Sequence, residues 1–146
     1  MEEIDKKIVS LLARNGRMSF TELARQAGLS VSAVHQRVRR LEQDGVIKGY
    51  AAVFDHEDVG LPLMAFVSIK PFDAAAPDDL PQRLEHLTQI EACHSVAGDE
   101  NYILKVRVPT PAALEELLYQ IRTVGGVSTR TTVVLSTPYE NRPPEF

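Results

Sequence analysis

The sequence of 146 residues lacks the features that mark several protein classes. Its single cysteine, Cys93, cannot form an intramolecular disulfide or a cysteine-based zinc cage, which fits a reducing compartment. No run approaches the roughly 18 apolar residues of a membrane-spanning helix. The first residues, Met1–Asp5, do not have the basic and then apolar profile of a secretory signal. We therefore expect a cytoplasmic protein with no membrane partner.

The sequence also lacks the patterns that are typical of catalytic and metal-binding sites. No two histidines stand at metal-ligand spacing, and no glycine-rich phosphate loop or nucleophile motif occurs. Cys93 and His94 are adjacent, so on a strand they point to opposite sides and cannot form one site unaided. We expect Cys93 to be buried and structural. The sequence predicts no catalytic residue, no metal site and no cofactor, so an enzyme is not expected.

The net charge of −4 is the sum of two halves of opposite sign. Residues 1–54 contain nine Lys and Arg against six Asp and Glu, whereas residues 55–146 contain seven against fourteen. A basic unit joined to an acidic one is consistent with a nucleic-acid-binding module attached to a unit with another task.

Three helices are predicted in the basic unit. Apolar residues recur at helical spacing from Ile4 to Leu12 and indicate the first helix. Ser19 begins the second helix with the S-x-x-E form of a capping box, and Gly28 ends it. Ser30 caps the third, which stops at Gly45. Helix, three-residue turn and helix together are the signature of a helix-turn-helix.

The rest of the domain organisation follows from composition. Val46–Val53 is rich in strand formers and predicts a short β-ribbon, or wing. Residues 55–62 contain acidic residues, Gly and Pro, as a linker does. We predict a winged helix-turn-helix domain over residues 1–54, a second domain over 63–137, and a poorly ordered tail over 138–146.

The second domain shows strand and helix patterns in the order βαββαβ. Strands are predicted over residues 63–70, 93–97, 102–108 and 127–135, and helices over 80–87 and 111–124. This order is the ferredoxin-like arrangement, an antiparallel sheet with two helices on one face. The predicted fold class of the whole chain is α+β.

The outward face of the third helix is the predicted DNA-binding surface. The apolar residues that share one side of a helical wheel are Val31, Val34, Val38 and Leu41. Gln36 lies almost opposite their centre, among guanidinium groups that can bond base edges or phosphates. The candidate DNA-binding residues are Ser30, Ser32, Ala33, His35, Gln36, Arg37, Arg39 and Arg40.

An alternative for the arginines is a solvated helix face, with internal ion pairs to Glu42 and Asp44. A helix-turn-helix can also serve purely for protein interaction. The combination of a capped short helix, a tight turn and a capped basic helix favours DNA. On that interpretation Gln36→Ala relaxes sequence specificity, whereas Arg40→Ala mainly weakens binding.

The sequence resembles the Lrp/AsnC family of bacterial and archaeal transcriptional regulators, also called feast/famine regulators. The N-terminal matches are Asp5, Ile8, Leu11, Leu12, Arg17, Glu22, Leu23, Ala24, Gly28, Leu29, Ser30, Val34, Arg37, Val38, Arg40, Leu41, Glu42, Gly45, Val46, Ile47, Gly49 and Tyr50. Residues 63–137 are similar to the family's ferredoxin-like ligand-binding domain, called RAM. The chain as a whole is most similar to actinobacterial members.

The resemblance implies an effector site in the second domain. The family has a Gly-x-x-Asp-Tyr-like loop that helps bind a free amino acid between neighbouring dimers. Asn101 stands where the family most often has Asp, although Asp99 and Glu100 could still pair with an amino group. Threonines of the last strand are expected near this loop, but threonine also simply favours strands. The candidate effector-binding residues are Gly98, Asp99, Glu100, Asn101, Tyr102, Thr129 and Thr131.

Surplus apolar strand surface predicts self-association. Strands 63–69 and 102–108 contain more hydrophobic surface than two helices on one sheet face would cover, and sheet-to-sheet dimerisation would cover the rest. The resemblance implies the same homodimer, often assembled into octamers, on a roughly palindromic operator in double-stranded DNA. It also implies control of genes of amino-acid metabolism. The alternative function is a small-molecule sensor or assembly module that reads no specific DNA sequence.

Overall fold

The computed structural model describes residues 1–143 and 145–146, and the chain divides into two compact units. The first contains Met1–Val53 together with Tyr139–Phe146, and the second contains Phe54–Pro138. Residues of the C-terminal tail therefore group with the N-terminal unit. Within this tail the Arg142 guanidinium lies 3.9 Å from the centre of the Tyr139 ring.

Three helices form the N-terminal unit. They are α1 (Glu3–Arg14), α2 (Phe20–Ala27) and α3 (Val31–Gln43). The hydroxyl of Ser19 accepts a hydrogen bond from the N–H of Glu22, and the hydroxyl of Ser30 accepts one from the N–H of Ala33. Gly28 ends α2 in the left-handed conformation, with φ of 72°. The predicted caps and the predicted stop are confirmed.

The core of this unit lies where the three helices meet. The buried residues are Ile8, Leu23, Ala24, Ala27, Val34, Val38 and Leu41. The prediction that Val31 shares the buried side of α3 is wrong, because its side chain is 47% exposed. Val31 is the first residue of α3 and lies outside the core cluster.

The prediction of a wing over Val46–Val53 is also wrong for the single chain, since no strand is assigned there. The N–H groups of Val46 and Ile47 both donate to the carbonyl oxygen of Leu41, so the segment starts by closing the end of α3. A strand needs a partner for its backbone hydrogen bonds. Among the residues that the structure describes, none pairs with this segment as a strand.

The C-terminal unit has the predicted βαββαβ order, and the α+β class is confirmed. Its elements are β1 (Leu63–Pro71), α4 (Leu80–Leu84), β2 (Ile90–Ser95), β3 (Tyr102–Val108), α5 (Pro111–Gly125) and β4 (Val127–Val133). The strands form one antiparallel sheet in the order β2-β3-β1-β4. In its centre Val67 of β1 lies opposite Leu104 of β3 and Thr131 of β4.

Strand alternation divides the sheet into two faces. Ala65, Val67 and Ile69 of β1 belong to one buried cluster with Leu117 and Ile121 of α5. The intervening residues of β1 and β3 lie on the opposite face. There Phe66 remains 38% exposed, and the buried Arg107 donates to a carboxylate oxygen of Glu91 at 2.6 Å.

The region between α4 and β2 departs from the prediction. Helix α4 ends at Leu84, and the N–H groups of Leu87 and Ile90 close two successive turns before β2 begins. Leu87 is nevertheless buried. The prediction of a buried Cys93 is wrong: it is exposed and lines, together with residues of α4, a cleft of about 340 Å³ that is open to solvent.

Candidate DNA-binding and effector-binding surfaces

Helix α3 presents a polar and cationic face to solvent. The side chains of Ser32, His35, Gln36 and Arg39 are exposed, and Ala33 is half-buried in the first turn. Arg39 has no ion-pair partner within the described part of the chain. Ser30 is occupied as the helix cap and lies 3.2 Å, oxygen to oxygen, from the hydroxyl of Ser32.

Arg37 and Arg40 differ from the other candidates, because both bind Asp5 of α1. Arg37 Nη1 donates to Asp5 Oδ1 at 2.8 Å, and Arg40 Nη2 donates to Asp5 Oδ2 at 2.7 Å. Arg37 Nη1 also lies 2.8 Å from a carboxylate oxygen of Glu2. We call Asp5, Arg37 and Arg40 the Asp5 clamp. Its two arginines link α1 to α3 and are not free side chains on the outward face.

The Asp5 carboxylate is ionised at neutral pH although it is only 3% exposed. Burial raises its pKa, but the hydrogen bonds and charges of Arg37 and Arg40 outweigh that effect and hold the pKa below its usual 3.8. Arg37 and Arg40 therefore pair with Asp5. The solvated-face alternative required them to pair with Glu42 and Asp44 instead. Glu42 instead accepts a hydrogen bond from the Tyr50 hydroxyl at 3.0 Å.

His35 is held at the edge of α3 by an aromatic contact. Its ring centre lies 4.9 Å from that of Phe20, the first residue of α2, and the rings are tilted by 57°. This contact joins the start of α2 to α3. Sequence reasoning missed Phe20, since an aromatic residue that follows a helix cap carries no periodic signal.

The loop predicted to bind an effector borders a cavity of about 460 Å³, which we call the loop cavity. Four of the five predicted loop residues line it, namely Gly98, Glu100, Asn101 and Tyr102, whereas Asp99 does not. Lys70 and Asp78 line it from the other side. Sequence reasoning missed these two, because only the fold brings the end of β1 and the following turn to this loop.

Hydrogen bonds and an ion pair fix the loop in place. The N–H of Asn101 donates to the carbonyl oxygen of Ile69 at 3.0 Å, which ties the loop to β1. A carboxylate oxygen of Glu100 lies 2.6 Å from Arg130 Nη2 of β4. The Tyr102 hydroxyl donates to the Asp78 carboxylate, and this bond, together with burial, raises the pKa of Tyr102 to about 12.

Thr129 and Thr131 are not among the residues that line the loop cavity. They lie opposite Ile69 and Val67 in the sheet, and both are half-buried. Arg122 Nη1 of α5 is 3.5 Å from the Thr129 hydroxyl oxygen. A single chain therefore does not bring the loop residues and these two threonines into one site.

Two family models together match most of the chain. The model for winged helix-turn-helix DNA-binding matches residues 1–48, and the model for the Lrp/AsnC ligand binding domain matches residues 64–144. This chain belongs to the Lrp/AsnC family of transcriptional regulators. The predicted family is thereby confirmed, and the regulator combines a winged helix-turn-helix DNA-binding domain with an Lrp/AsnC ligand binding domain.

Relatives match this regulator over nearly its full length. The HTH-type transcriptional regulator LrpA of Mycobacterium tuberculosis is 53% identical over 142 residues, which cover 97% of this chain and 95% of the relative. The leucine-responsive regulatory protein of Escherichia coli is 39% identical over 140 residues, with 92% and 85% covered. The first relative is named as a transcriptional regulator and the second as a regulatory protein, and the similarity to an actinobacterial member is confirmed.

Solved structures show the same architecture. The crystal structure of Mycobacterium tuberculosis LrpA matches this Lrp/AsnC regulator with a TM-score of 0.90 at 51% identity, over 99% of both chains. A feast or famine regulatory protein from Mycobacterium tuberculosis, complexed with L-methionine, matches with a TM-score of 0.96 at 52% identity, over 98% of this chain and 97% of the other.

The described residues of the regulator contain no group of three or more His, Cys, Asp or Glu side chains that could hold a metal ion. None of the helices described above reaches the length and apolar character that crossing a membrane requires.

Proposed function

We propose that this regulator reads a specific operator as a homodimer in the cytoplasm, where a DNA-binding regulator meets its genes, and that it responds to a free amino acid. The observation that carries the proposal is the division of α3 into two faces. Val34, Val38 and Leu41 are buried in the core, whereas Gln36 and Arg39 are exposed. A helix placed in the major groove needs this division.

The exposed face supplies groups suited to base edges. Gln36 can bond adenine with both ends of its amide, and Arg39 can bond guanine or a phosphate. The small side chains of Ser32 and Ala33 in the first turn allow the backbone to approach the bases. His35, held on Phe20, can contact the groove wall from the edge of the helix.

The loop cavity supports the effector proposal. Its volume of about 460 Å³ falls within the roughly 300–1,000 Å³ of small-molecule sites. An α-amino group would meet carboxylates at Asp78 and Glu100, and an α-carboxylate would meet the ammonium group of Lys70. The L-methionine complex of a relative supports an amino acid as the class of effector.

Self-association would complete this site. Thr129 and Thr131 can approach an effector in the loop cavity of a neighbouring copy, which fits binding between neighbouring dimers. The open sheet face around Phe66 would be covered by a second copy, as in sheet-to-sheet packing. Dimers would then assemble further, to octamers, and the amino acid would shift that assembly and the control of genes of amino-acid metabolism.

Fluorescence anisotropy tests the proposal. A duplex from upstream of the regulator's own gene is titrated against a scrambled duplex across a salt series, alone and with each of the twenty amino acids. We expect tighter binding to the upstream duplex, shifted by one amino acid. If both duplexes bind equally and weakly, a genome-wide binding selection follows. Equal binding to all sequences in that selection would favour a sensor or assembly module that reads no specific DNA sequence.

A further inference from the structure

We propose that Asp5 limits sequence-independent DNA binding by holding Arg40 of α3 away from DNA phosphates. This inference rests on the proposal that α3 is the helix that contacts DNA. Asp5 is then a positioning residue: it does not touch DNA, but it determines which cations of α3 can reach the backbone.

The position of Arg40 on α3 places it near the DNA-facing side. It follows Gln36 by four residues and so lies about 40° from it around the helix, whereas Arg37 lies about 100° away, towards α1. About half of the Arg40 side chain is exposed, against a quarter of that of Arg37. A free guanidinium at this position would be within reach of a phosphate.

The Asp5 clamp prevents this in the free protein. Each carboxylate oxygen of Asp5 accepts from a different arginine, so both are occupied at once. Asp5 is buried, and water therefore does not replace the arginines easily. Asp5 and Arg40 also border an open cleft of about 510 Å³, which gives the Arg40 side chain room to leave once the carboxylate is neutralised.

The two arginines differ in what they would retain without Asp5. Arg37 also pairs with Glu2 at 2.8 Å, whereas among the described residues Arg40 forms an ion pair with Asp5 alone. Neutralising Asp5 therefore releases chiefly Arg40. One additional phosphate contact steepens the slope of log K against log salt by about 0.9.

Asp5→Asn, measured on a scrambled duplex with the full-length protein, tests the inference. Its affinity should rise by about three- to fourfold more than that of the wild type when salt falls from about 200 to about 50 mM. Glu42→Gln is the matched control: it removes the same charge from an exposed residue of α3 whose partner is a tyrosine. The control should keep the wild-type slope. A merely structural defect in Asp5→Asn would weaken binding without steepening the slope, and that result would overturn the inference.

Arg40→Gln, which leaves Asp5 in place, keeps the test informative if Asp5→Asn folds poorly, and a double variant adds a check if it folds. The sequence alone predicts that loss of Arg40 weakens DNA binding, whereas on this proposal Asp5 holds Arg40 away from phosphates. Arg40→Gln in the wild-type background should therefore leave the salt slope unchanged. The double variant Asp5→Asn, Arg40→Gln should return the slope to the wild-type value. A slope reduced by about 0.9 in Arg40→Gln alone would show that Arg40 already contacts DNA, and the inference would fail.

The two proposals fail differently. If the wild type shows no salt-dependent binding to any duplex, the DNA-binding role of α3 is wrong. If the wild type binds and Asp5→Asn has the same slope, only the role of Asp5 is wrong.

Discussion

The hydroxyl of Tyr102 donates a hydrogen bond to the carboxylate of Asp78, and both side chains line the loop cavity. The bond connects the start of β3 with the turn that follows β1. Asp78 thus has two tasks: it fixes the wall of the cavity and brings a negative charge to it.

Asp78→Asn should weaken effector binding while it preserves the cavity. Asn still accepts the Tyr102 hydrogen bond, but the charge available to an α-amino group is lost. A charge-assisted hydrogen bond contributes about 1.5–3 kcal/mol, so Kd should rise about tenfold or more. Isothermal titration with L-methionine, or with the amino acid that the anisotropy panel selects, measures this. Asp58→Asn, an exposed change of the same charge in the same unit, should bind as the wild type does. Equal Kd values for all three proteins would contradict the role of Asp78.

Gln36→Ala should reduce sequence specificity. The amide is exposed on α3, and a bidentate contact to a base discriminates by about 1–3 kcal/mol. Affinity for the upstream duplex should therefore fall about fivefold or more, while affinity for the scrambled duplex stays the same. Competition anisotropy measures both, with Gln120→Ala on α5 as the control. Equal losses on the two duplexes would show that Gln36 does not read bases.

Arg39→Ala should weaken binding to the upstream duplex and to the scrambled duplex by the same factor. Its guanidinium is exposed and has no ion-pair partner in the described part of the chain, so it is available to a phosphate. Loss of one phosphate contact reduces the salt slope by about 0.9. The same titrations across salt measure the slope. A loss confined to the upstream duplex would instead assign Arg39 to a base contact.

The Asp5 clamp should make the stability of the N-terminal unit depend on acidity. The folded-state pKa of Asp5 lies below its usual 3.8, so its contribution is fully present above that value and is lost as pH falls through the lower folded-state pKa. At neutral pH, Asp5→Asn should reduce the free energy of unfolding by about 1–3 kcal/mol, less than for a fully buried pair because Arg40 is half exposed.

Urea denaturation of wild type and Asp5→Asn checks this from neutral pH down to about pH 2. The stability difference between the two proteins should shrink as the pH falls below 3.8. A difference that stays constant with pH would show that the packing of Asp5, and not its charge, stabilises the unit.

Local signals explain which elements could be predicted from the sequence. Ser19, Gly28 and Ser30 act through bonds that span three or four residues, so their identity alone indicates helix ends. Strand alternation from Tyr102 to Val108 has the same local character. These elements have nearly the predicted bounds.

Longer-range contacts explain what the sequence could not predict. Asp5 lies 32 residues from Arg37 and 35 from Arg40, and nothing local distinguishes a clamped arginine from a free one. Asp78 reaches Tyr102 across 24 residues. Val46–Val53 is rich in residues that favour strands, but within the described chain it has no neighbouring strand to pair with and therefore forms none.

The exposed position of Cys93 has a practical consequence. It is the one sulfhydryl in the sequence, and it stands in a cleft on the C-terminal unit. A maleimide dye would therefore attach at a single defined point of the unmutated regulator. Partial burial raises the pKa of the thiol, so coupling calls for a mildly alkaline buffer. Energy transfer between dyes on separate copies would then follow assembly directly as an amino acid is added.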